Sequence, residues 1–260
     1  MFMKECKTIQ KVIFILAVIC VSITQSWADS WKEIFFADPT IFVENGKYYL
    51  TGTRNQEPQG FAILESTDLK HWTVPNGKDL QLILRKGDQA FGEKGFWAPQ
   101  YFKDKRTYYF TYTANEQTVI ASSKSVFGPF RQKEVKPIDA SAKNIDSFLF
   151  KDDDGKYYLY HVRFNKGNYL WVAEFDIKKG SIKPETLKQC MDCTEPWEKT
   201  PNYKSAPVME GPTVMKWDGV YYLFYSANHF MNIDYSVGYA TASSPFGPWK
   251  KHLPTAHIRP

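Results

Sequence analysis

Residues 36–53 read FADPTIFVENGKYYLTGT. Two short runs rich in aromatic and β-branched residues flank the pair Asn45-Gly46. An Asn-Gly pair between two such runs is the strongest short-range signal for a β-hairpin, because its turn requires positive φ at both central residues. We therefore predict a hairpin here, with an acidic residue, Asp38, near the start of its first strand.

The same layout returns three times further along the chain. Each copy has a strand-like run, a turn and a Tyr-Tyr pair, and a further strand-like run follows. The pairs are Tyr48-Tyr49, Tyr108-Tyr109, Tyr157-Tyr158 and Tyr221-Tyr222. Repeats of roughly 50 to 60 residues with about four strands each have the size of β-propeller blades. The alternative, a β-sandwich, fits the strand spacing but does not account for the repeated anchors. We predict an all-β propeller.

The first 28 residues have the features of a secretory signal peptide. Three lysines precede an apolar run at residues 12–23, and Ser26-Trp27-Ala28 offers a small-x-small cleavage site. The run is too short to be read as a membrane-spanning helix. We expect residues 1–28 to be removed on export to the periplasm or the medium, leaving a single domain at residues 29–260 and no membrane attachment.

Charge and cysteine content exclude other classes. The formal net charge of +5 is too small to indicate nucleic-acid or membrane binding. After signal cleavage two cysteines remain, Cys190 and Cys193. A lone Cys-x-x-Cys is more typical of a local loop feature than of a zinc site, which needs two further ligands. We expect no metal site from them.

Three carboxylates occupy matched places in the repeats. Asp38 and Asp146 correspond once the longer third turn is allowed for, and Glu210 lies immediately upstream of the corresponding position. Trp97 is at the place of Glu210 in the second repeat. Each acid alone could be a turn or loop residue. If the first strands line the axis, however, all three carboxylates converge on one pocket. Their mutual repulsion shifts their pKa values apart, so that one can stay protonated as an acid while another acts as a base, as in a glycosidase.

These motifs resemble glycoside hydrolase family 43, whose members are five-bladed β-propellers. The resemblance rests on Ala37-Asp38-Pro39, Ile145-Asp146-Ser147, Glu210-Gly211-Pro212 and Trp97-Ala98-Pro99. It implies that Asp38 is the base, that Glu210 is the acid, that Asp146 raises the pKa of Glu210, and that Trp97 borders the sugar. It also implies inversion at the anomeric carbon.

Further expectations concern the substrate and its binding. The resemblance implies a plant polysaccharide or oligosaccharide substrate with arabinofuranosyl or xylosyl linkages. An α-L-arabinofuranosidase is the first expectation and a β-xylosidase the alternative. We expect a monomer that requires no cofactor, although the family's central channel leaves room for a structural calcium ion. Arg163 and Asn228 follow the third and fourth hairpins and are candidate sugar-binding residues; a surface salt bridge is the alternative for Arg163.

The end of the chain departs from the family pattern. Fewer residues follow Tyr221-Tyr222 than separate any two of the pairs. We therefore expect about four blades, with the fifth, C-terminal blade missing. A non-catalytic or inactive sugar-binding propeller consequently stays open as an alternative. A protein-interaction propeller of the Trp-Asp repeat type is the third, but the only Trp-Asp pair, Trp217-Asp218, falls in a predicted turn.

Overall fold

The structure is a computed structural model that describes residues 34, 36–77 and 79–252. The predicted signal peptide lies outside these residues. Within them the chain forms β-strands throughout, with three short 3-10 helices at Pro75–Gly77, Pro184–Thr186 and Pro196–Glu198. None of the helices in the described ranges is long and apolar enough to cross a membrane.

The strands form four blades of antiparallel sheet. The first blade contains β1 (Ala37–Glu44), β2 (Lys47–Thr53) and β4 (Leu64–Ser66), with a separate ribbon of β3 (Gly60–Ala62) and β5 (Leu82–Arg85). The second contains β6 (Trp97–Asp104), β7 (Thr107–Ala114) and β8 (Gln117–Ser123).

The third and fourth blades follow the same order. The third contains β9 (Asn144–Lys151), β10 (Tyr157–Phe164) and β11 (Asn168–Asp176), and both β12 (Ser181–Ile182) and β13 (Lys188–Gln189) pair with β11. The fourth contains β14 (Met209–Trp217), β15 (Val220–Ala227), β16 (Ser236–Ala242) and β17 (Lys250–His252). The fourth blade thus has the expected four strands. The sheets of the first and second blades have three strands each, and the sheet of the third has five.

Turn residues explain why each blade begins as a hairpin. Asn45 and Gly46 both adopt positive φ (52° and 75°), as do Asp218 and Gly219 (48° and 76°). These are the conformations that a tight hairpin requires and that Asn, Asp and Gly tolerate best. The hairpins predicted from these pairs are therefore present, with Glu44 opposite Lys47 and Trp217 opposite Val220.

The first strand of each blade lies on the inside of the ring. β1 contacts β6, β6 contacts β9, and β9 contacts β14. Because these four strands run in the same sense in successive blades, their first residues meet at one end of the axis. The structure therefore brings together the positions at which the sequence carries its carboxylates.

Three buried apolar clusters fill the spaces between successive blades. Phe61 and Ile83 of the first blade pack with Phe110 and Phe130 of the second. Leu149 and Leu159 pack with the side of the second blade that carries Phe102 and Ile120. The third cluster joins the third and fourth blades, with these members: Tyr160, Val162, Leu170, Met209, Leu223 and Tyr225. The core of this molecule thus lies between sheets, as burial of the apolar faces of neighbouring blades requires.

Candidate active site at the bulged ends of the inner strands

Each inner strand begins with a β-bulge that contains a residue of positive φ. In β1 the register passes from Ala37–Thr53 to Thr40–Thr51, so Asp38 and Pro39 lie opposite Gly52 alone. The same shift occurs in β6, β9 and β14. The residues of positive φ at these bulges are Asp38 (47°), Ala98 (44°), Asp146 (53°) and Gly211 (61°). Bulges redirect side chains and are frequent beside active sites.

The bulges show which positions in the four repeats are equivalent. Asp38 and Asp146 share one position, and Glu210 lies one residue before Gly211, as inferred from the repeats. Positive φ is uncommon outside glycine, and Asp is among the residues that adopt it most readily. The backbone thus turns these side chains away from the ordinary alternation of a strand.

Side-chain hydroxyls connect the bulge of one blade to the bulge of the next. The Thr53 hydroxyl donates to Asp38 Oδ2 at 2.5 Å and accepts from the Ala98 amide at 2.9 Å. The Thr113 hydroxyl accepts from the Asp146 amide at 3.0 Å. Each threonine pairs with the residue just before its own blade's bulge. These hydrogen bonds fix the mutual orientation of the inner strands at the carboxylate end.

At the third junction the acceptor is a carboxylate. The Gly211 amide donates to Asp146 Oδ2 at 3.1 Å. Val162 occupies the place that Thr53 and Thr113 hold in the earlier blades, because it pairs with Ile145 just before the bulge. Valine has no hydroxyl, so Asp146 itself connects its blade to the one that carries Glu210.

The three carboxylates are electrostatically coupled. Burial raises the pKa of Asp146 to about 7, with further contributions from the negative charges of Glu210 and Asp38 and an opposing hydrogen bond from the Gly211 amide. Burial also raises the pKa of Glu210, and Asp38 raises it further. Charges influence one another's pKa in this way only when they lie close together. The hydrogen bonds between the bulges place Asp38, Asp146 and Glu210 at the same end of the inner strands, in agreement with this coupling.

The carboxylates differ in their access to water. Asp38 is exposed, whereas Asp146 and Glu210 are partly buried. An exposed carboxylate can contact a solvent molecule, while burial beside negative charge favours the protonated form of a carboxyl group. The arrangement thus places one carboxylate in contact with solvent beside two whose pKa values are raised.

Tyr235 is a member of this group that the sequence analysis did not identify. Its hydroxyl donates to Glu210 Oε1 at 3.0 Å. Burial and the charge of Glu210 raise the pKa of Tyr235 well above its ordinary value, so the phenol keeps its proton and remains a donor. Tyr235 lies in the connection after β15, outside the repeated motifs, and only its proximity to the fourth hairpin could have drawn attention to it.

Trp97, Arg163 and Asn228 have different surroundings. Trp97 is 39% exposed and directly precedes the bulge residue Ala98. Arg163 is buried, forms an ion pair with Asp139, and donates to the Ser141 hydroxyl at 3.0 Å.

The Asn228 side chain is buried and bound to backbone. It accepts from the Thr200 amide at 2.9 Å and donates to the carbonyls of Trp197 and Asp234. For Arg163 the expected alternative, a surface salt bridge, is wrong in one respect: the ion pair with Asp139 is present but buried. Sugar binding by Trp97, Arg163 and Asn228 stays a prediction.

No cluster suited to a metal ion is found in the described part of the chain. Among the described residues, no three His, Cys, Asp or Glu side chains are arranged closely enough to hold one ion, the carboxylates of the site included. Hard cations such as calcium take six to eight oxygen ligands. The described residues offer no acidic cluster for such a cation, and no chemistry is assigned to it.

A propeller with three neighbouring carboxylates at the bulged ends of its inner strands has the features of a glycoside hydrolase. The family follows from comparison with known proteins: the model for glycosyl hydrolases family 43 matches residues 32–258. The chain belongs to this family, which places it among the glycosidases.

Individual relatives differ in their named activities. A crystal structure of an endo-1,4-β-xylanase from Bacteroides thetaiotaomicron is 42% identical, with a TM-score of 0.77, and the match covers 85% of this chain and 73% of that one. A β-D-galactofuranosidase of Aspergillus niger is 27% identical over 83% of this chain and 63% of its own length. An extracellular endo-α-(1→5)-L-arabinanase 1 of Bacillus subtilis is 27% identical over 82% and 66%. The chain thus spans somewhat less than two thirds of these last two relatives.

Proposed function

We propose that this chain is an inverting glycosidase that hydrolyses arabinofuranosyl or xylosyl linkages in plant cell-wall polysaccharides or their oligosaccharides. The observation that carries the proposal is the coupled group of one exposed and two partly buried carboxylates at the bulged strand ends. Family membership and the named xylanase and arabinanase relatives support the substrate class.

The three carboxylates have separate roles in the proposed reaction. Asp38 accepts a proton from water as the water oxygen bonds to the anomeric carbon. Glu210 gives its proton to the glycosidic oxygen as the bond from that oxygen to the anomeric carbon breaks. Asp146 accepts a hydrogen bond from the Gly211 amide and so fixes the strand that carries Glu210. The negative charge that raises the pKa of Glu210 is that of Asp38, and not that of Asp146 as the resemblance implied. Attack by water on the face opposite the leaving group inverts the anomeric centre.

The identity of the sugar needs a direct assay. The relatives include proteins named for xylan and for arabinan, so both classes belong in the test. We would assay 4-nitrophenyl α-L-arabinofuranoside and 4-nitrophenyl β-D-xyloside beside xylan and arabinan. Proton NMR of the first product formed from the active substrate would give its anomeric configuration. Retention of configuration would contradict the proposed roles.

Two variants test the assignment of base and acid. Asp38→Asn should abolish turnover of every substrate, because no other group is assigned to activate the water. Glu210→Gln should be severe for sugar leaving groups, by about 10²–10⁴-fold, and milder for 4-nitrophenol, which leaves with little need of a proton.

Asp153→Asn, an exposed acid in the turn at the far end of β9, is the matched control and should keep full activity. Equal losses of Glu210→Gln on both leaving groups would show that Glu210 is not the acid. Binding of xylan or arabinan without any turnover would favour the sugar-binding alternative.

We also propose that the protein is exported. Residues 1–28 have the pattern of a signal peptide, and one relative is named as extracellular. Expression of the full chain in a Gram-negative bacterium, followed by N-terminal sequencing of the periplasmic product, would test this. A product beginning at Met1 in the cytoplasmic fraction would contradict it.

A further inference from the structure

A ring stack lies beside the proposed acid and takes no part in the reaction assigned above. Tyr203 stacks on His229 with ring centroids 4.9 Å apart and planes at 16°, and His229 stacks on Phe230 at 4.7 Å and 26°. Tyr203 precedes β14, which carries Glu210, and His229 and Phe230 follow β15, which pairs with β14. The stack thus lies at the same end of the fourth blade as Glu210.

The loop that carries this stack is unusually apolar for an exposed segment. Phe230, Met231 and Ile233 are 67%, 79% and 78% exposed. A contiguous group of exposed apolar side chains is typical of a ligand-binding groove or an interaction site, whereas single exposed apolar residues are common on any surface. The set of Tyr203, His229, Phe230, Met231 and Ile233 is called the rim cluster below.

Hydrogen bonds hold the rim cluster in place. Asp234 Oδ2 accepts from the Thr200 hydroxyl at 2.7 Å and from the Asn202 side-chain Nδ2 at 2.6 Å. The Asn232 amide donates to the His229 carbonyl at 2.9 Å, and the Tyr235 amide donates to the Asn232 carbonyl at 2.9 Å. The exposed side chains are therefore presented on a fixed loop, which lowers the entropic cost of binding a ligand there.

The position of the rim cluster beside Glu210 indicates which part of the substrate it contacts. The loop ends at Tyr235, whose hydroxyl donates to Glu210 Oε1, which leaves Oε2 as the oxygen that can carry the acidic proton. In glycoside hydrolysis the acid faces the glycosidic oxygen, and the leaving sugar lies beyond that oxygen. A wall that begins at the acid therefore borders the leaving group.

We propose that the rim cluster is the binding surface for the leaving sugar of the substrate chain. The apolar face of a xylose or arabinose ring packs on Phe230 and its neighbours. The proposal rests on the proposed function, because it takes Glu210 as the acid. It adds that preference for oligosaccharides and polymers over small glycosides comes from this loop.

The test compares substrates with and without a leaving sugar. The disaccharide of the sugar that the enzyme prefers has a leaving sugar at the rim cluster, whereas the glycosyl fluoride of that sugar has none. Phe230→Ala and Met231→Ala should each lower kcat/KM for the disaccharide by about 10-fold, the loss expected for a ring or side-chain contact. Turnover of the fluoride should be unchanged. Because both side chains are exposed, neither variant should impair folding.

Trp217→Ala is the matched control, since this 68% exposed aromatic residue lies at the opposite end of β14. It should affect neither substrate. Equal losses on disaccharide and fluoride, or no loss on either, would overturn the proposal while leaving the proposed function intact.

A binding measurement separates the two proposals if no turnover is found. Migration in native gels that contain xylan or arabinan should be retarded for the wild-type chain and less retarded for Phe230→Ala. Retardation without turnover would contradict the catalytic proposal and, with it, the assignment of the bound sugar as a leaving group, and the rim cluster would then be a sugar-binding surface alone. Unretarded wild-type migration, or equal retardation of both chains, would overturn the rim cluster.

Discussion

At the scale of single residues, the surroundings of Asp146 and Glu210 determine the pKa values of these two side chains. Asp146 is partly buried, faces two other carboxylates, and is compensated chiefly by one backbone amide. Glu210 receives a hydrogen bond from Tyr235 that lowers its pKa against the effect of burial. Both acids are therefore held in environments that oppose ionisation, which is useful for proton donation and costly for stability.

Replacing Tyr235 tests how the acid is tuned. Tyr235→Phe removes a hydrogen bond that favours ionised Glu210, so the pKa of Glu210 should rise. The basic limb of the kcat/KM profile reports the pKa of the acid in the free enzyme, and it should move to higher pH. The measurement is this profile with a sugar leaving group. Tyr239→Phe, which removes a phenol from the neighbouring strand β16, should leave the limb in place. A limb that moves to lower pH would contradict this account.

Asp146→Asn should stabilise the fold at neutral to alkaline pH. The folded pKa of about 7 lies above the ordinary 3.8, so the contribution of Asp146 to stability is fully present below pH 3.8 and is lost as the pH rises through 7. Asparagine removes the charge and can still accept from the Gly211 amide. We expect a gain of about 2 kcal/mol at pH 8, after allowance for solvent screening, and none near pH 4.

Urea unfolding of the Asp146→Asn variant at the two pH values would measure this difference. The exposed change Asp153→Asn should show no comparable dependence on pH. A variant that is less stable than wild type at pH 8 would show that the Asp146 carboxylate is favourably placed in the folded state, contrary to the argument.

At the scale of elements, the bulge is the unit that positions the site. Positive φ at Ala98 costs about 1 kcal/mol that glycine would avoid, and the equivalent residue of the fourth blade is glycine. Ala98→Gly should therefore stabilise the protein by about 0.5 kcal/mol, since the added freedom of the unfolded chain offsets part of the gain.

Ala37→Gly is the matched control for Ala98→Gly. Ala37 lies just before the bulge of β1 and does not have positive φ, so its replacement should cost about 0.5–1 kcal/mol. The midpoints of urea unfolding would show the two changes with opposite signs. A destabilising Ala98→Gly would mean that the bulge is not strained.

Features that repeat along the chain could be predicted from the sequence. The Asn45-Gly46 and Asp218-Gly219 turns and the equivalence of Asp38 with Asp146 follow from local spacing, and the structure contains them. The hydroxyl contacts of Thr53 and Thr113 depend on contacts between blades, which local patterns do not encode. Tyr235 contacts Glu210 within one blade but across 25 residues of sequence, and Asn228 takes two of its three partners, Thr200 and Trp197, from the connection before β14. Spacing along the chain does not encode these contacts either.

At the scale of the whole molecule, polar contacts attach the connection between the third and fourth blades to the fourth blade. The long connection from the third to the fourth blade is attached at Glu198, which is fully buried. Its carboxylate accepts from the Tyr225 hydroxyl at 2.6 Å, from the Thr194 amide at 2.8 Å, and from Lys251 Nζ at 2.6 Å. Lys251 belongs to β17, the outer strand of the fourth blade. One buried carboxylate thus joins the connection to two strands of that blade.

Because Glu198 is buried, the effect of removing either partner should depend on the other. Lys251→Met leaves the carboxylate without its counter-charge and should cost about 3–5 kcal/mol. The double variant Glu198→Gln/Lys251→Met should cost less than the sum of the single changes, with a coupling of about 1–3 kcal/mol. Urea unfolding of the four proteins gives this coupling. The exposed pair Glu134 and Lys136 provides the control cycle, in which solvent screening should leave no comparable coupling. Additive losses at Glu198 and Lys251 would show that the connection is held by apolar packing alone.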